Sequence, residues 1–520
     1  MLESIGSTTL TLFGTASVLI VTSILAKWYR MRNYFAKFNI PGPKPLPVIG
    51  NFHHIMKRGM PYNDLEMTKI YGKTFGYFEG STPVVQTIDL TLLKSLLIKD
   101  FGVFTNRRQI EAAMFEPFDH FLSIIKDDEW KSVRAILSTT FTSGKLKSMS
   151  KLMLDCSNQL NDHFQKIAES DGIFNGREYF GGLTLDVICS CCFGFSVDSI
   201  KDPNNEVIVH LKRFFLDSLT KDPKFMLLIL FPRLAEFLTK RNLVEIFPKD
   251  SIAFLKQLTL TIMQQRKDKS QYRDDFLQCM IEHELKVAEE EKVENQDKKW
   301  DPKDLKYLRK TLSVAEIFSQ SFMFMFAGYE TTSTTLNLVA FNLATNSHVQ
   351  EKLINEIDHV LSNHNGEISY ESVGEMNYLS MILDETLRMF PAAIRLDRVA
   401  SEDFEYEGMK IEKGQMVVVP LWALHHDPEV YPNPDVFDPE RFNEENKKTR
   451  DSNAYLPFGN GPRNCLGMRF ALIEMKIVLA NILSKFRFEK CEKTPEKIEI
   501  DSSGFARPKV PVILKVTNRF

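Results

Sequence analysis

The sequence predicts a mainly α-helical protein with small β-sheets, preceded by one N-terminal transmembrane helix. Three observations support this fold class: an uncharged first segment, helical spacing of apolar residues along most of the chain, and a globular composition. Of 520 residues, 43% are hydrophobic and 26% are charged, which excludes wholesale disorder. The net charge of −3 gives no basic field for nucleic acid, and seven scattered cysteines do not form a disulfide framework.

The first segment is expected to be a retained membrane anchor. Residues 4–26 carry no charge, and a helix of that length can cross a hydrocarbon layer of about 30 Å. Lys27, Arg30, Arg32 and Lys37 follow it, and this positive flank predicts that the rest of the chain is cytosolic. A cleaved secretory signal would need a basic stretch before the apolar run, and only Glu3 stands there.

A proline-rich linker is predicted next. Prolines alternate with other residues over Pro41–Pro47, which stiffens the backbone and excludes helix. We therefore expect three parts: residues 1–27 as membrane anchor, residues 28–50 as a basic and proline-rich linker, and residues 51–520 as one catalytic domain.

The body of the chain is predicted to be mainly helical. Glycine and proline between β-rich runs predict a hairpin over Phe75–Ile88, and helical spacing begins near Leu90. The apolar stretch Leu211–Phe247 is either ordinary core or a surface that dips into lipid. The stretch Glu282–Lys310 is dense in charge and is expected to be a mobile surface loop.

The chemistry is expected around one cysteine. Residues 458–467 read Phe-Gly-Asn-Gly-Pro-Arg-Asn-Cys-Leu-Gly, and an apolar helix is predicted after them over Met468–Leu483. Glycines allow a flat group to approach the backbone, and a helix N-terminus stabilises the thiolate of Cys465. Arg463 adds positive charge. A thiolate with an open face suits a soft metal, whereas the alternative is a buried structural cysteine in a turn.

This loop resembles the heme-binding signature of the cytochromes P-450, F-x-x-G-x-R-x-C-x-G. The resemblance implies the cytochrome P-450 fold and heme b, with the Cys465 thiolate as axial ligand of the iron. It also implies that Phe458 packs beside the cysteine and that Arg463 contacts a heme propionate. Thiolate ligation favours O–O cleavage.

A second motif, Ala327-Gly-Tyr-Glu-Thr-Thr332, lies in a long apolar helix predicted to begin near Leu312. Glycine and clustered threonines are poor helix formers, and their hydroxyls are expected to divert backbone hydrogen bonds and open a local groove. By the same resemblance, Glu330 and Thr331 look like the acid–alcohol pair that delivers protons to bound oxygen. An ordinary threonine-rich kink is the alternative.

Further motifs follow the family pattern over almost the whole chain. Glu385-Thr-Leu-Arg388 and Arg441 resemble the Glu-Arg-Arg triad that locks the fold around the heme loop, which is a structural role. Trp130 and Arg134 form the W-x-x-x-R pair that contacts a propionate, and Arg107 and Arg398 match further propionate-binding arginines. Two heme carboxylates make several arginines and an indole donor reasonable.

Finer resemblance points to the microsomal family three, which oxidises drugs and steroids, or to an invertebrate relative. Stretches such as Phe104-Thr-Asn-Arg-Arg108 and Arg395-Leu-Asp-Arg-Val399 carry it, while the loop 109–117 departs from the vertebrate pattern. Family analogy predicts a roomy apolar substrate pocket. Its lining residues would be Ser123, Phe326, Ala327, Ala392, Ala393 and Ile394.

These features together predict a membrane-bound heme-thiolate monooxygenase that inserts one atom of O₂ into lipophilic substrates such as xenobiotics, steroids or fatty acids. Electrons would come from NADPH through a separate flavoprotein, NADPH-cytochrome reductase, because the chain has no nucleotide-binding fingerprint. Cytochrome b5 is a further expected partner, and Lys131, Arg134 and Arg469 are candidates for the docking face. The predicted location is the endoplasmic reticulum membrane, with the catalytic domain on its cytosolic face. Two alternatives remain: a heme-thiolate isomerase or dehydratase without external electrons, and a non-catalytic heme- or ligand-binding membrane protein.

Overall fold

The computed structural model describes residues 2–109, 114–214, 223–245, 247–268, 273, 275–282, 311–501 and 504–520. Within these residues the chain is mainly helical, as the sequence predicts. The helices, numbered in chain order, are α1 (Leu2–Arg32), α2 (Phe52–Arg58), α3 (Met60–Tyr71), α4 (Leu90–Lys94), α5 (Asp127–Ser138), α6 (Ser143–Ala168), α7 (Gly176–Ile188), α8 (Glu206–Lys212), α9 (Pro223–Leu230), α10 (Pro232–Lys240), α11 (Lys249–Lys267), α12 (276–282), α13 (Val314–Thr345), α14 (Ser347–Asn363), α15 (Tyr370–Glu375), α16 (Asn377–Met389), α17 (Leu421–His425), α18 (Glu444–Thr449) and α19 (Met468–Leu483).

Three small sheets accompany the helices. Their strands are β1 (Thr74–Glu79), β2 (Thr82–Thr87), β3 (Ile173–Asn175), β4 (Arg395–Val399), β5 (Phe404–Tyr406), β6 (Met409–Ile411), β7 (Met416–Pro420), β8 (Phe486–Glu489) and β9 (Ile513–Asn518). The strand orders are β1-β2-β7-β4, β3-β9-β8 and β5-β6, and the β2–β7 pair is parallel. In the first sheet, Arg398 on β4 pairs with Val417 on β7, so this sheet carries one of the predicted heme-binding arginines.

Helix α13 runs through the main core and packs against α7, α16 and α19. Its crossing with α7 is close because Gly328 faces Ile188, where an added Cβ would lie only 3.1 Å from the Ile188 side chain. A serine at position 313 caps the helix and exchanges hydrogen bonds with Glu316, which sets where α13 begins. Phenylalanine fills much of this core; Phe118, Phe318 and Phe322, for example, are packed in it.

Several predicted elements are confirmed. The hairpin over Phe75–Ile88 is the antiparallel pair β1–β2, and α19 has the predicted bounds Met468–Leu483. The apolar stretch beginning at Leu211 is broken into short helices, with Pro223 and Pro232 each starting one. The predicted charged loop over 282–310 lies outside the described residues except for residue 282.

Residues 2–32 form one continuous helix, α1. Among the described residues, no helix is both long enough and apolar enough to cross a membrane. The helical part of the anchor prediction is therefore confirmed, and its transmembrane part stays a prediction.

Candidate active site around Cys465

The loop before α19 places Cys465 at the N-terminal end of that helix. Gly459 and Gly461 both have left-handed backbone, with φ of 72° and 73°. At Gly461 an added Cβ would lie 1.9 Å from the carbonyl oxygen of Leu97, so only glycine lets this loop approach the turn after α4. The Cys465 amide then donates to the Phe458 carbonyl at 2.8 Å, which closes the loop on itself.

The Cys465 side chain is accessible but largely enclosed by protein. The residue is exposed to solvent, yet burial raises the pKa of its thiol, so protein surrounds it on most sides. The amides of Gly467 and Met468, with Arg107 and Arg134, act against that rise because they favour the thiolate. A bound metal cation would complete the deprotonation of Cys465, since a thiol that coordinates a metal loses its proton outright.

Three arginines and a tryptophan gather beside this loop. Arg463 donates through Nη1 to the Thr105 carbonyl at 2.9 Å, and Arg107 donates through Nη2 to the Arg463 carbonyl at 3.4 Å. The Arg463 guanidinium lies 4.7 Å from the centre of the Trp130 ring. Arg398 belongs to the same group, because the positive charges of Arg107 and Arg463 both lower its pKa. Four segments that are distant in sequence therefore meet here.

Several buried N–H donors in this cluster have no acceptor among the described residues. Within the part of the chain that the structure describes, the Nε atoms of Arg107, Arg398 and Arg463 and the Nε1 of Trp130 are buried without a hydrogen-bond partner. Buried N–H groups are almost always paired, so four orphans in one place indicate that an acceptor belongs there.

The electrostatics of the cluster agree with an anionic acceptor. Burial, followed by repulsion from Arg107 and Arg463, lowers the pKa of Arg398 to about 9. Burial, followed by repulsion from Arg107, lowers the pKa of Arg463 to about 10. Carboxylates placed among these groups would remove the repulsion and accept the orphaned N–H groups. The donor set therefore fits a flat group that carries two carboxylates and meets a thiolate, which is heme.

Arg134 is held differently from the other three arginines. Its guanidinium donates to the Asn464 carbonyl at 2.9 Å and to the Asn464 side chain at 2.7 Å. Arg134 thus braces the residue before Cys465 and also favours the thiolate electrostatically. This supporting contact with the loop was not part of the sequence-based role.

The second motif lies in the middle of α13. Ala327 is exposed in a helix that is otherwise largely buried from Met325 to Ala344, and Phe326 and Thr331 are half-buried. The Thr331 hydroxyl donates to the Ala327 carbonyl at 2.6 Å, one turn back. The predicted groove is wrong in one respect: α13 continues as regular helix through the threonines, because their hydroxyls bond to carbonyls already inside the helix.

Glu330 points to a different partner from Thr331. It is buried, and its Oε1 accepts hydrogen bonds from Arg507 Nε at 2.7 Å and from the Thr334 hydroxyl at 3.4 Å. Arg507 is itself buried and comes from the loop before β9. The two residues of the acid–alcohol motif are therefore neighbours on α13, with the acid engaged in an ion pair.

The predicted substrate residues fall into two groups. Ser123 and Ala327 are exposed, and Phe326, Ala392 and Ala393 are half-buried, so these five side chains remain accessible. Ile394 is 1% exposed and packs in the main core. Its backbone joins two elements, because its amide donates to Gly504 and its carbonyl accepts from Leu421.

The predicted triad is assembled, with Glu385 and Arg388 buried and Arg441 half-buried. Arg388 and Glu385 form two hydrogen bonds of 2.7 and 2.8 Å, and Arg441 Nε lies 3.4 Å from Glu385 Oε1. Arg388 also donates to the His425 carbonyl at 3.0 Å, and His425 Nε2 accepts from the Leu456 amide at 2.9 Å. The network thus reaches the chain two residues before Phe458, which supports a structural role.

Sequence reasoning missed Arg507, Asn464 and His425. Arg507 lies in the run Gly504-Phe-Ala-Arg-Pro-Lys509, which has no periodic or spacing signal. Asn464 stands inside the cysteine motif at a position that the motif leaves open. His425 is one of two adjacent histidines, and nothing local shows that its ring accepts from a distant amide.

Comparison with known proteins gives a consistent result over most of the chain. The family model described as "Cytochrome P450" matches residues 40–516. The chain is 40% identical over 506 residues to cytochrome P450 3A2 of Rattus norvegicus, covering 96% of each chain. It is 39% identical over 506 residues to cytochrome P450 3A5 of Homo sapiens, again covering 96% of each. It is also 39% identical over 507 residues to cytochrome P450 3A27 of Oncorhynchus mykiss, covering 97% of this chain and 94% of that one.

Proposed function

Since this chain belongs to the cytochrome P450 family and is a heme-thiolate monooxygenase, we propose that Cys465 is the thiolate ligand of its heme iron. The accessible sulfur of Cys465, beside buried cationic donors without partners, is the observation that carries this assignment. Trp130, Arg107, Arg398 and Arg463 then hold the two heme carboxylates, and Phe458 packs beside the ligand. Arg134 steadies the loop through Asn464.

When bound, the heme supplies activation of O₂ with two electrons, so that one oxygen atom enters the substrate and the other leaves as water. The residues of the chain control protons and position around that chemistry. Thr331 offers the hydroxyl, and its proton is directed at Ala327 in the structure, so delivery requires that this hydrogen bond be exchanged. Glu330 is the acid of the pair, and its bond to Arg507 fixes the direction of the carboxylate that is to carry the proton.

A lipophilic substrate is supported by the accessible side chains among the predicted pocket residues. Phe326, Ala327, Ala392 and Ala393 are small or aromatic and offer no charge, so orientation would depend on shape and apolar burial. Ser123 is the one hydroxyl among the predicted lining residues. Xenobiotics, steroids and fatty acids all meet these requirements, and the names of the relatives place the chain near the 3A group.

We assign electron supply to a separate NADPH-cytochrome reductase, with cytochrome b5 as a second electron donor. Lys131 and Arg469 are exposed, in the first half of α5 and in the first turn of α19. Lys131 pairs with exposed Asp128, so its net attraction for an acidic partner is reduced. Charge reversal at Lys131 and Arg469 should raise the KM for the reductase, and the effect should shrink with added salt. An unchanged KM across the salt series would exclude this docking face.

Membrane association is proposed for α1 and α10, with the catalytic domain, residues 51–520, on the cytosolic side of the endoplasmic reticulum. The apolar residues 18–21 of α1 are exposed. On α10 the side chains of Leu234 and Phe237 are also exposed, and Arg241 lies 3.7 Å over the Phe237 ring. Exposed apolar residues next to cations are typical of helices at a lipid interface. Deletion of residues 1–27 should move part of the protein from membranes to the soluble fraction, with the remainder held by α10.

Two measurements test the assignment of the ligand and the activity. The reduced protein with carbon monoxide should show the absorption band of thiolate-ligated heme, and Cys465→Ser should abolish it; a retained band would overturn the ligand assignment. NADPH consumption with reductase and a panel of lipophilic compounds should give oxygenated products. Substrate conversion without NADPH would instead favour the isomerase or dehydratase alternative, and tight ligand binding without turnover would favour a binding protein.

A further inference from the structure

The ion pair between Glu330 and Arg507 joins α13 to a loop near the C-terminus. Both residues are buried, with 4% and 7% of their surface exposed. Arg507 Nε donates to Glu330 Oε1 at 2.7 Å across 177 positions of sequence. A contact this distant and this well buried is set by the fold and not by local structure.

Such a pair has to be explained, because burying two charges costs free energy that their attraction only partly returns. Replacing a buried pair with apolar residues is often neutral or stabilising, whereas removing one partner is strongly destabilising. Stability alone is therefore a weak reason for placing an arginine against Glu330. A role in orienting the carboxylate is the stronger one, since Glu330 directly precedes Thr331.

The loop that carries Arg507 is tied to the segment that contains the predicted substrate residues. Ala506 donates to the Ala392 carbonyl at 3.2 Å, and Ile394 donates to the Gly504 carbonyl at 3.2 Å. Ala393 and Phe505 face each other in an isolated β-bridge. Residues 392–394 and 504–507 are therefore joined backbone to backbone, and a shift of the first segment would be passed to the loop that carries Arg507.

We propose that Arg507 is a positioning residue for oxygenation: it orients the Glu330 carboxylate, and its loop makes that orientation depend on what lies against Ala392 and Ala393. This inference rests on the proposed acid role of Glu330. A substrate that presses on residues 392–394 shifts the loop and, through the ion pair, turns the Glu330 carboxylate into the orientation needed for proton transfer. In the absence of substrate the ion pair holds the acid away from that orientation, which limits proton delivery when there is nothing to oxygenate.

The test is a double-mutant cycle on the full-length holoenzyme with reductase, measuring product formed per NADPH and hydrogen peroxide released. Arg507→Leu should lower product per NADPH about fivefold, because the Glu330 carboxylate loses its orientation. The substrate KM should change less than about twofold, because the shape of the pocket is retained. Arg507→Lys, which keeps the cation, should regain at least about half of the coupling. In a Glu330→Gln background, Arg507→Leu should change coupling by less than about 1.5-fold.

Lys509→Leu is the matched control, since Lys509 is a cation two residues away whose partner, Glu499, is exposed. It should leave coupling unchanged. Arg507 is overturned as a positioning residue when Arg507→Leu lowers coupling equally in the wild-type and Glu330→Gln backgrounds, or does not lower it at all. When Glu330→Gln alone couples as wild type does, the acid role of Glu330 fails and the inference falls with it. When Glu330→Gln uncouples and Arg507→Leu does not, only the inference on Arg507 fails.

Hydrogen exchange gives a readout that does not depend on turnover. A bulky ligand should increase exchange at the amides of Ala506 and Ile394, because it strains the bonds between the two segments. In the double variant Glu330→Gln/Arg507→Leu, which removes both charges, the fold should persist even where Arg507→Leu alone loses its heme spectrum. In that double variant, the ligand should still increase exchange at these amides, but this change should no longer alter the amount of product formed per NADPH. Equal exchange with and without ligand in the wild type would refute the link between loop and substrate.

Discussion

A buried acid on α19 should make the stability of the protein depend on pH in a way that one substitution removes. Glu474 is 1% exposed, and its Oε1 has no hydrogen-bond partner among the described residues. Burial raises its pKa to about 8. The groups on which it acts electrostatically include the thiols of Cys156, Cys191 and Cys192, and burial raises the pKa of each of these thiols too.

The direction and size of the effect follow from linkage. A carboxyl whose pKa is raised in the folded state is stabilising below its unfolded value of about 4.5, and this stability is lost as pH rises toward 8. The loss is about 1.4 kcal/mol per pH unit, which amounts to about 3 kcal/mol between pH 5.5 and 8. At roughly 2 cal/mol/K per residue, a chain of this size loses about 3 °C of Tm over that interval.

Glu474→Gln has nearly the same shape and does not titrate. Thermal melts of the holoenzyme should show the variant gaining about 3 °C on the wild type between pH 5.5 and 8, with little further gain above pH 8.5. Glu445→Gln, which removes an exposed carboxylate, controls for net charge and should gain almost nothing. If the difference in Tm between Glu474→Gln and wild type is the same at both pH values, Glu474 is not a buried titrating acid.

Two further predictions concern the heme site. Gly461→Ala combines left-handed backbone strain with a Cβ 1.9 Å from the Leu97 carbonyl, so it should lower the free energy of unfolding by more than about 2 kcal/mol and weaken heme retention. Gly408→Ala, with φ +79° and open space around its Cβ, controls for backbone strain alone. An equal loss of stability in both variants would contradict the close-approach argument. Trp130→Phe keeps an aromatic ring beside Arg463 but removes the indole donor, so heme should dissociate about tenfold faster. Trp28→Phe, which loses a hydrogen bond to the Pro45 carbonyl, is the control. An unchanged rate of heme transfer to an acceptor protein in Trp130→Phe would mean that the Trp130 Nε1 does not hold a carboxylate.

The parts of the fold that the sequence predicted are those with local or motif signals. Glycine and proline between β-rich runs marked the β1–β2 hairpin, and uninterrupted apolar spacing after Gly467 gave both ends of α19. The residues of the Cys465 loop were singled out because phenylalanine, glycine, arginine and cysteine stand there at the fixed spacing of one motif. The threonines of α13 misled the local reading, since a hydroxyl that bonds to the carbonyl one turn back leaves a buried helix intact.

Contacts between distant segments could not be predicted in the same way. Arg507 carries no signal of its own, and its partner Glu330 was assigned to Thr331 because the two are adjacent in sequence. The burial of Ile394 depends on how β7 and the C-terminal loop close over it, which no periodicity records. Which residues form ion pairs in a buried polar network is decided by the folded chain, because packing determines which opposite charges lie side by side.

The arginine cluster has a consequence for folding as well as for cofactor binding. Arg107, Arg398 and Arg463 reach one place from three distant segments, and burial with mutual repulsion holds the pKa of Arg398 near 9. A lowered pKa on a cation means that the folded chain is destabilised by the protonated group at every pH below that value. Two carboxylates in the cluster reverse the sign, because they accept the orphaned donors and offset the repulsion. Heme binding and closure of the Cys465 loop are therefore expected to be one cooperative event, since the loop's own Arg463 is among the charges that the proposed heme carboxylates would neutralise.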